Sequence, residues 1–576
     1  MQLAKNETAL KPSRCERKDE IGGVPGGLQG HARLLSETQV LELRQRSREE
    51  SFFLCVPILL IMFLELPFLV LLIVVIVLLR VVGSRNHNFY SKRRIPYVRP
   101  ALFVGNLWPL LSGRMSQCDF LQWLYEQLNG HRLGGMYGFT TPALMIRDPD
   151  LIREVCVRHF EHFTDRRILL TEEVDPVAGK VLPSLSGNYS IVSENRHYSF
   201  QKVGHCFKLN RFLCRGDRWR KLRTAISPAF SWSLLRAMHR NVSTCTRHFI
   251  DYLQQQSHTL NNCGVQIISG SRPGMLQLEM RDVMSRLFTD VLAEAALGAK
   301  SNSFNSNNTL YRACHSMTNF TGSKAIVLLG YLCCPKLMKM MKVRIIDSET
   351  MKFFISLVKE LEKSNHCDDI FGVLMQARDR GQPGIETITT LLCFSTYLLA
   401  THPDSQEKLW EEIKPINLEN TSHLQKLQYL EMVIAETLRL FPPVEVIDRK
   451  CVRPLSCSDL EFQEGEGLVI PIYAIQRDPE YFPDPERFHP ERFSEENRRR
   501  IKPFTYLPFG AGPRSCLGEK FGKDIAKLTL VSLLQNYKLV TVPKTCVPLR
   551  LAKMSFNKVA EGGFWLGLSP RDTHGV

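Results

Sequence analysis

PFGAGPRSCLG, residues 508–518, sets three glycines, one arginine and a single cysteine ahead of the stretch EKFGKDIAKLTLVSLLQNY at 519–537. Gly510, Gly512 and Gly518 permit tight turns and close approach of backbone to a bulky object. Phe521, Ile525, Leu528 and Val531 recur on one helical side, so Cys516 falls just before or at a helix start, where exposed N–H groups and the positive helix end favour thiolate over thiol. A phosphate-cradling loop would end in Lys-Ser/Thr, and Pro513 removes a donor. A cysteine protease would need a histidine partner that sequence order does not place, and a buried apolar thiol is the ordinary reading of any one cysteine.

Upstream, LQKLQYLEMVIAETLRLFPP at 424–443 reads as a helix with apolar positions Leu427, Leu430, Val433, Ile434 and Leu438, stopped by Pro442 and Pro443. Glu436 and Arg439 lie three apart and share a face, a spacing most often seen in an exposed helix ion pair. DPERFHPERF at 484–493 repeats Pro-Glu-Arg-Phe and is too proline-rich for a regular helix. A second guanidinium brought from there to Glu436 would make a buried network, which tolerates desolvation only through mutual hydrogen bonds.

Taken together, these segments resemble the cytochrome P450 family of haem-thiolate monooxygenases. The resemblance rests on FGAGPRSCLG at 509–518, ETLR at 436–439, PERF at 490–493 with Phe488 before it, WRKLR at 219–223 and GIETITT at 384–390, in the family's order. It runs from about Pro96 to Arg571. It implies a mainly α fold with small β-sheets, the cytochrome P450 fold, and haem b (iron protoporphyrin IX) as cofactor. Cys516 is then the iron ligand, with Phe509 beside it. Trp219, Arg223 and Arg514 face the haem propionates, and Glu436, Arg439 and Arg492 form a structural network. Glu386 and Thr387 resemble the catalytic acid–alcohol pair of the family's long central helix, where a hydroxyl relays a proton and a carboxylate connects it to solvent. The ordinary role of Thr387 is back-bonding to a helix carbonyl. The branch most resembled holds drug-oxidising and thromboxane-synthase-like microsomal enzymes.

Before Gly384 the chain departs from that pattern. It reads DDIFGVLMQARDRGQPGIETITT, with Pro383 where the family has alanine and RDRGQ where apolar helix is expected. Proline inside a helix breaks or kinks it. About two dozen residues of the expected helix are missing, ~36 Å at the helical rise. The interval between FTDR at 163–166 and GDRW at 216–219 is longer than the family's, with an inserted loop expected about 186–211, and Ile525 stands where a glutamate is frequent. A splice variant lacking one segment and carrying others would account for these departures.

FFLCVPILLIMFLELPFLVLLIVVIVLL at 52–79 carries one charge, Glu65, and exceeds the ~20 residues that cross a bilayer. It predicts a single N-terminal transmembrane anchor (52–83), after a polar extension (1–51) and before a basic connector (84–95) and the haem domain (96–576). A hairpin lying in the interface is the alternative. Starting after fifty polar residues, the run is no signal peptide. Flanking arginines favour a cytoplasmic body on the endoplasmic reticulum membrane. Pro96, Pro100 and Pro109 stiffen the exit from the bilayer.

The net charge of +16 spreads over 74 basic and 58 acidic residues without a nucleic-acid-reading motif, so no nucleic acid is expected. It suits anionic lipid or an acidic protein. Seventeen cysteines without a C-x-x-C pair predict neither a disulfide scaffold nor a structural zinc site. No dinucleotide or flavin fingerprint is present. Electrons would therefore come from NADPH-cytochrome P450 reductase, with cytochrome b5 a second donor, for hydroxylation of a hydrophobic small molecule. Two rivals are a haem-thiolate isomerase or dehydratase acting on a lipid peroxide, and a non-enzymatic haem-binding membrane protein.

Overall fold

The structure, a computed structural model, describes residues 68–166, 223–224, 232–259, 267–269, 275–297, 301–305, 308–333, 338, 340–341, 343–363, 382–418, 421–457 and 459–571. The chain divides into two compact units, Met1–Leu79 and Arg80–Val576. Residues 68–83 are helical, and all but the last are exposed. Sixteen residues rise ~24 Å, less than the ~30 Å hydrocarbon layer. Among the described residues no helix is long and apolar enough to cross a membrane. Residues 52–67 of the expected anchor, the 1–51 extension and the 186–211 loop lie outside the described residues.

In the second unit, the basic connector packs on the body through Tyr90, which is buried against Tyr137. The proline segment after it is stitched to the first strand, because Gly135 donates its N–H to the Pro96 carbonyl at 2.7 Å. Among the described residues, two four-stranded sheets and a two-stranded hairpin accompany the helices. In the first sheet, β1 (Leu133–Gly138) pairs antiparallel with β2 (Thr141–Ile146). The second is built on β3 (Ile267–Ser269) and β4 (Leu276–Glu279). β5 (Ile447–Lys450) pairs with β8 (Gly467–Ile470), which runs parallel to β2. Between them, β6 (Leu455–Cys457) and β7 (Leu460–Phe462) make the hairpin. β9 (Tyr537–Val540) and β10 (Trp565–Pro570) complete the second sheet.

Long helices carry the core: α1 (Trp232–Thr259), α2 (Met280–Leu297), α3 (Gln382–Thr401), α4 (Gln428–Leu440) and α5 (Glu519–Asn536). In α3, every residue from Thr389 to Ala400 is buried, and in α5 every residue from Asp524 to Leu534 is. A helix apolar on most of its circumference has no solvent face to offer and becomes the centre of its domain. Some buried charges on these helices sit near opposite charges: Lys527 Nζ lies 2.7 Å from Glu431 of α4, and Asp524 lies 3.2 Å from His239 of α1, while the hydroxyls of Thr389 and Ser395 in α3 and Thr529 in α5 are buried without a hydrogen-bond partner among the described residues.

Two local readings need correction. α4 begins at Gln428, because Thr421–Gln425 wind into a separate 3₁₀ turn. The loop segment 301–305 belongs to the core. Ser303 and Phe304 are buried, with Phe304 against Phe249 and Tyr252 at ring distances of 5.6 and 4.6 Å. Pro383 does not kink a helix. It is the second residue of α3, where no N–H partner exists to lose.

Candidate functional site

The cysteine loop is shaped by two glycines with left-handed backbone, Gly510 (φ 77°) and Gly512 (φ 71°). The Gly510 N–H reaches the Leu507 carbonyl at 3.0 Å, and the Cys516 N–H reaches the Phe509 carbonyl at 2.8 Å, closing a turn around the residue before α5. A Cβ on Gly512 would sit 1.9 Å from the Cys156 carbonyl oxygen, so the loop rests directly on the turn containing Cys156. Gly518 caps α5 without a side chain, and its backbone N–H faces the Cys516 sulfur.

Cys516 is solvent-accessible, yet protein crowds its sulfur. Burial pushes its thiol pKa up; the Gly518 N–H and the nearby Arg223 charge pull the other way and do not prevail. The helix end expected to favour thiolate does not prevail: the cysteine lies three residues ahead of the first residue of α5, and desolvation outweighs the amide dipoles. Metal coordination deprotonates such a thiol outright.

Arg223 donates to the Ser515 carbonyl at 2.9 Å, which brings this sequence-selected arginine to the cysteine loop. Arg514 is on the loop itself, in the 3₁₀ turn Gly512–Arg514. Phe509 packs against the core with Lys523 Nζ 5.2 Å from its ring centre. Trp219 lies outside the described residues.

Two further arginines, outside the motifs, lie beside each other. Asp165 pairs with Lys450 as an isolated bridge, which sets Arg166 beside Arg449 of β5. Burial pushes the Arg166 pKa down to about 10, and the Arg449 charge adds to the drop. Arg449 is almost fully buried and is likewise lowered by burial, with the Cys156 thiol and Asp448 opposing. Solvent reaches Arg166 although protein surrounds it, the condition also met by Cys516. Asp448 lies close enough to act on both guanidinium groups. An accessible thiol inside the body, a backbone donor aimed at it, and Arg223 and Arg514 at its loop fit a haem with its two propionates. The sequence signal was the arginine of FTDR.

The ETLR pair is fully buried and bidentate, not an exposed ion pair. Arg439 donates from Nε and Nη2 to the Glu436 carboxylate at 2.7 and 2.9 Å. Its Nη1 reaches the Gln476 carbonyl at 2.8 Å, and the His489 N–H donates to Glu436 at 3.0 Å. Arg492 comes from the 3₁₀ turn Pro490–Phe493, with Nε 3.5 Å from Glu436, and donates to the Pro483 carbonyl at 2.8 Å.

Across the helices, Glu386 and Thr387 lie on α3 just before Ile388. A Cβ added to Gly522 of α5 would sit 4.0 Å from Ile388 Cγ1, so the pair sits where α3 crosses the helix that follows Cys516. Glu386 accepts from Arg281 of α2 at 2.6 Å, and both side chains are partly exposed. The acid is thus tethered by a cation that the motif did not announce.

The cytochrome P450 family model matches residues 192–565. Cytochrome P450 9e2 of Blattella germanica is 36% identical over 549 residues, taking in 86% of this chain and 96% of that protein. Probable cytochrome P450 9f2 of Drosophila melanogaster is 28% identical, over 85% of this chain and 96% of its own length. Cytochrome P450 6l1 of Blattella germanica is also 28% identical, over 82% and 91%. For the first, 86% of 576 residues is fewer than the 549 over which identity is counted, so the match passes over stretches that this chain lacks.

Proposed function

We propose a function from one premise: the chain belongs to the cytochrome P450 family, whose members bind haem b through a cysteine thiolate, and it is a monooxygenase. In this chain Cys516 is the ligand. The observation that carries the assignment is a solvent-reachable thiol on a two-glycine loop, faced by the Gly518 N–H, with Arg514 on the same loop and Arg223 bonded to the Ser515 carbonyl beside it.

Bound there, haem supplies the oxidising chemistry, with a thiolate ligand that favours O–O cleavage. The chain's own groups do the rest. The Gly518 N–H moderates the charge on sulfur. Arg223 and Arg514 would neutralise the propionates and orient the ring. Thr387 would hold a proton for the reaction, and Glu386, oriented by Arg281, would pass protons to it from the partly exposed side of the pair.

The substrate class is a hydrophobic small molecule, in keeping with the apolar stretch at 52–79. Electrons come from NADPH-cytochrome P450 reductase, with cytochrome b5 as auxiliary donor, at the endoplasmic reticulum membrane with the body in the cytoplasm. The basic excess of the chain suits acidic partners.

The test is replacement of Cys516 by serine in the full chain. The wild type should bind one haem and, reduced under carbon monoxide, show the red-shifted Soret band of a thiolate ligand. Cys516→Ser should lose that band. Retention of the band would overturn the ligand assignment. NADPH-driven product formation with reductase then tests the electron route.

A further inference from the structure

The helix that follows β2 does not end as an ordinary α-helix. Pro149–Arg153 is α-helical, but Glu154–Arg158 widens into a π turn, closed by the His159 N–H on the Glu154 carbonyl at 2.8 Å. In an α-helix, residues five apart point about 140° away from each other. The i→i+5 closure of a π turn instead stacks them on one side, and such turns recur at functional sites. Here the wider turn brings His159 Nε2 within 3.5 Å of Glu154 Oε2. From the opposite side, β6 delivers Cys457, whose sulfur lies 4.0 Å from the same carboxylate oxygen.

One ligand atom from each of Glu154, His159 and Cys457 lies within 4.8 Å of the other two, and all three residues are half-buried. Ideal zinc bond lengths at tetrahedral angles put oxygen and nitrogen ligands about 3.3 Å apart and oxygen and sulfur about 3.5 Å. The observed 3.5 and 4.0 Å separations need only a few tenths of an ångström of closure. Arg158 Nη1 holds the other Glu154 oxygen at 2.5 Å, as an outer donor orients a ligating carboxylate, and leaves Oε2 turned toward the histidine and the cysteine.

We propose that Glu154, His159 and Cys457 form a zinc site on the face of the protein that supports the cysteine loop. The donor set of one thiolate, one neutral imidazole and one carboxylate selects a borderline-soft dication over calcium or magnesium. Two anionic donors balance its charge. Binding forms three protein–metal bonds and releases the Cys457 proton to solvent. Three protein ligands leave a fourth position open to water. No short cysteine repeat marks the site, because two ligands come from the π turn and its closing residue and the third from a strand 298 positions further on.

The location gives the ion a consequence. Cys156, in the middle of the π turn, is the residue whose carbonyl Gly512 abuts. Zinc would pin that turn to the β6–β7 hairpin and stiffen the floor of the cysteine loop without touching haem.

The experiment uses full-length, haem-loaded protein, in which Cys516 is already committed, stripped with a chelator and dialysed against buffered free zinc. One equivalent should bind, with sulfur and nitrogen or oxygen scatterers at about 2.3 and 2.0 Å in zinc X-ray absorption. Cys457→Ser and His159→Gln, each checked for unchanged haem content, should weaken binding by about tenfold or more, while Cys546→Ser should not. Equal zinc binding by wild type and both ligand variants, absence of a sulfur shell, or no zinc binding at all would overturn the proposal.

Discussion

The Leu507 N–H donates to Gln476 Oε1 at 2.8 Å, and through that bond the ETLR helix and the cysteine loop become one structure. Gln476 Nε2 donates to the carbonyls of Leu438 and Arg439 at 3.0 and 2.9 Å, capping the end of α4, while its own carbonyl takes Arg439 Nη1. Leu507 in turn accepts from Gly510, the first left-handed residue of the loop. Replacing Gln476 with alanine strands one amide and two carbonyls in a buried place, at about 1–3 kcal/mol for each group left unpaired. Gln476→Ala should therefore lower the urea midpoint strongly and reduce haem per chain, although it touches neither haem nor substrate. Unchanged haem content and midpoint would break the link.

Glu436 and Arg439 are both fully buried, so removing one strands the other's charge. Glu436→Leu alone should cost about 3–5 kcal/mol. The double variant Glu436→Leu/Arg439→Met should cost less than its two singles combined, by about 0.5–3 kcal/mol of coupling in a double-mutant cycle on chemical unfolding. Strict additivity would mean that the pair is not the unit that matters, and that the backbone contacts to Gln476 and His489 dominate.

Glu431 offers a pH signature in the same helix. Burial raises its pKa, but Lys527 and Lys523 outweigh burial and leave the carboxyl below its ordinary value. A depressed folded-state pKa means that the stability it contributes is complete above the unfolded value, near pH 4.5, and is lost as pH falls through the folded value. At pH 7, Glu431→Gln should lower stability by about 1 kcal/mol, a figure reduced for its partial exposure. The gap between variant and wild type in urea midpoint should close as the solution is acidified below pH 4.5. A gap that stays constant would assign the loss to packing rather than charge.

The parts of this molecule legible in the sequence are those written in local pattern. The glycine spacing around Cys516, the buried periodicity of α5 and the stop after α4 each report on neighbours along the chain, and each matches an observed element. Glu436 and Arg439 were visible as a pair, but not their burial, which depends on Gln476 and His489 arriving from 37 and 53 positions away. Arg166 and Arg449 were invisible as partners because a single bridge between Asp165 and Lys450 joins them. The π turn escaped for a different reason: its side chains differ little from those of an α-helix, and only the hydrogen-bond pattern separates the two.

The two loop glycines give a graded test of how the cysteine loop is seated. Both have left-handed backbone, which costs an L residue about 1–2 kcal/mol. At Gly510 a new methyl would meet nothing nearer than the Ser515 Cα at 3.8 Å, so Gly510→Ala carries the backbone penalty alone. At Gly512 the methyl would be driven to 1.9 Å from the Cys156 carbonyl, a backbone atom that cannot swing aside. Either the loop lifts or the π turn gives way, and both outcomes move the sulfur. Gly512→Ala should thus lose the thiolate carbonyl spectrum and most of its haem, whereas Gly510→Ala should keep the spectrum with a modestly lower melting temperature. If the two variants lose haem to the same degree, the loop is not anchored on the Cys156 turn, and backbone strain alone governs the fit of the ligand.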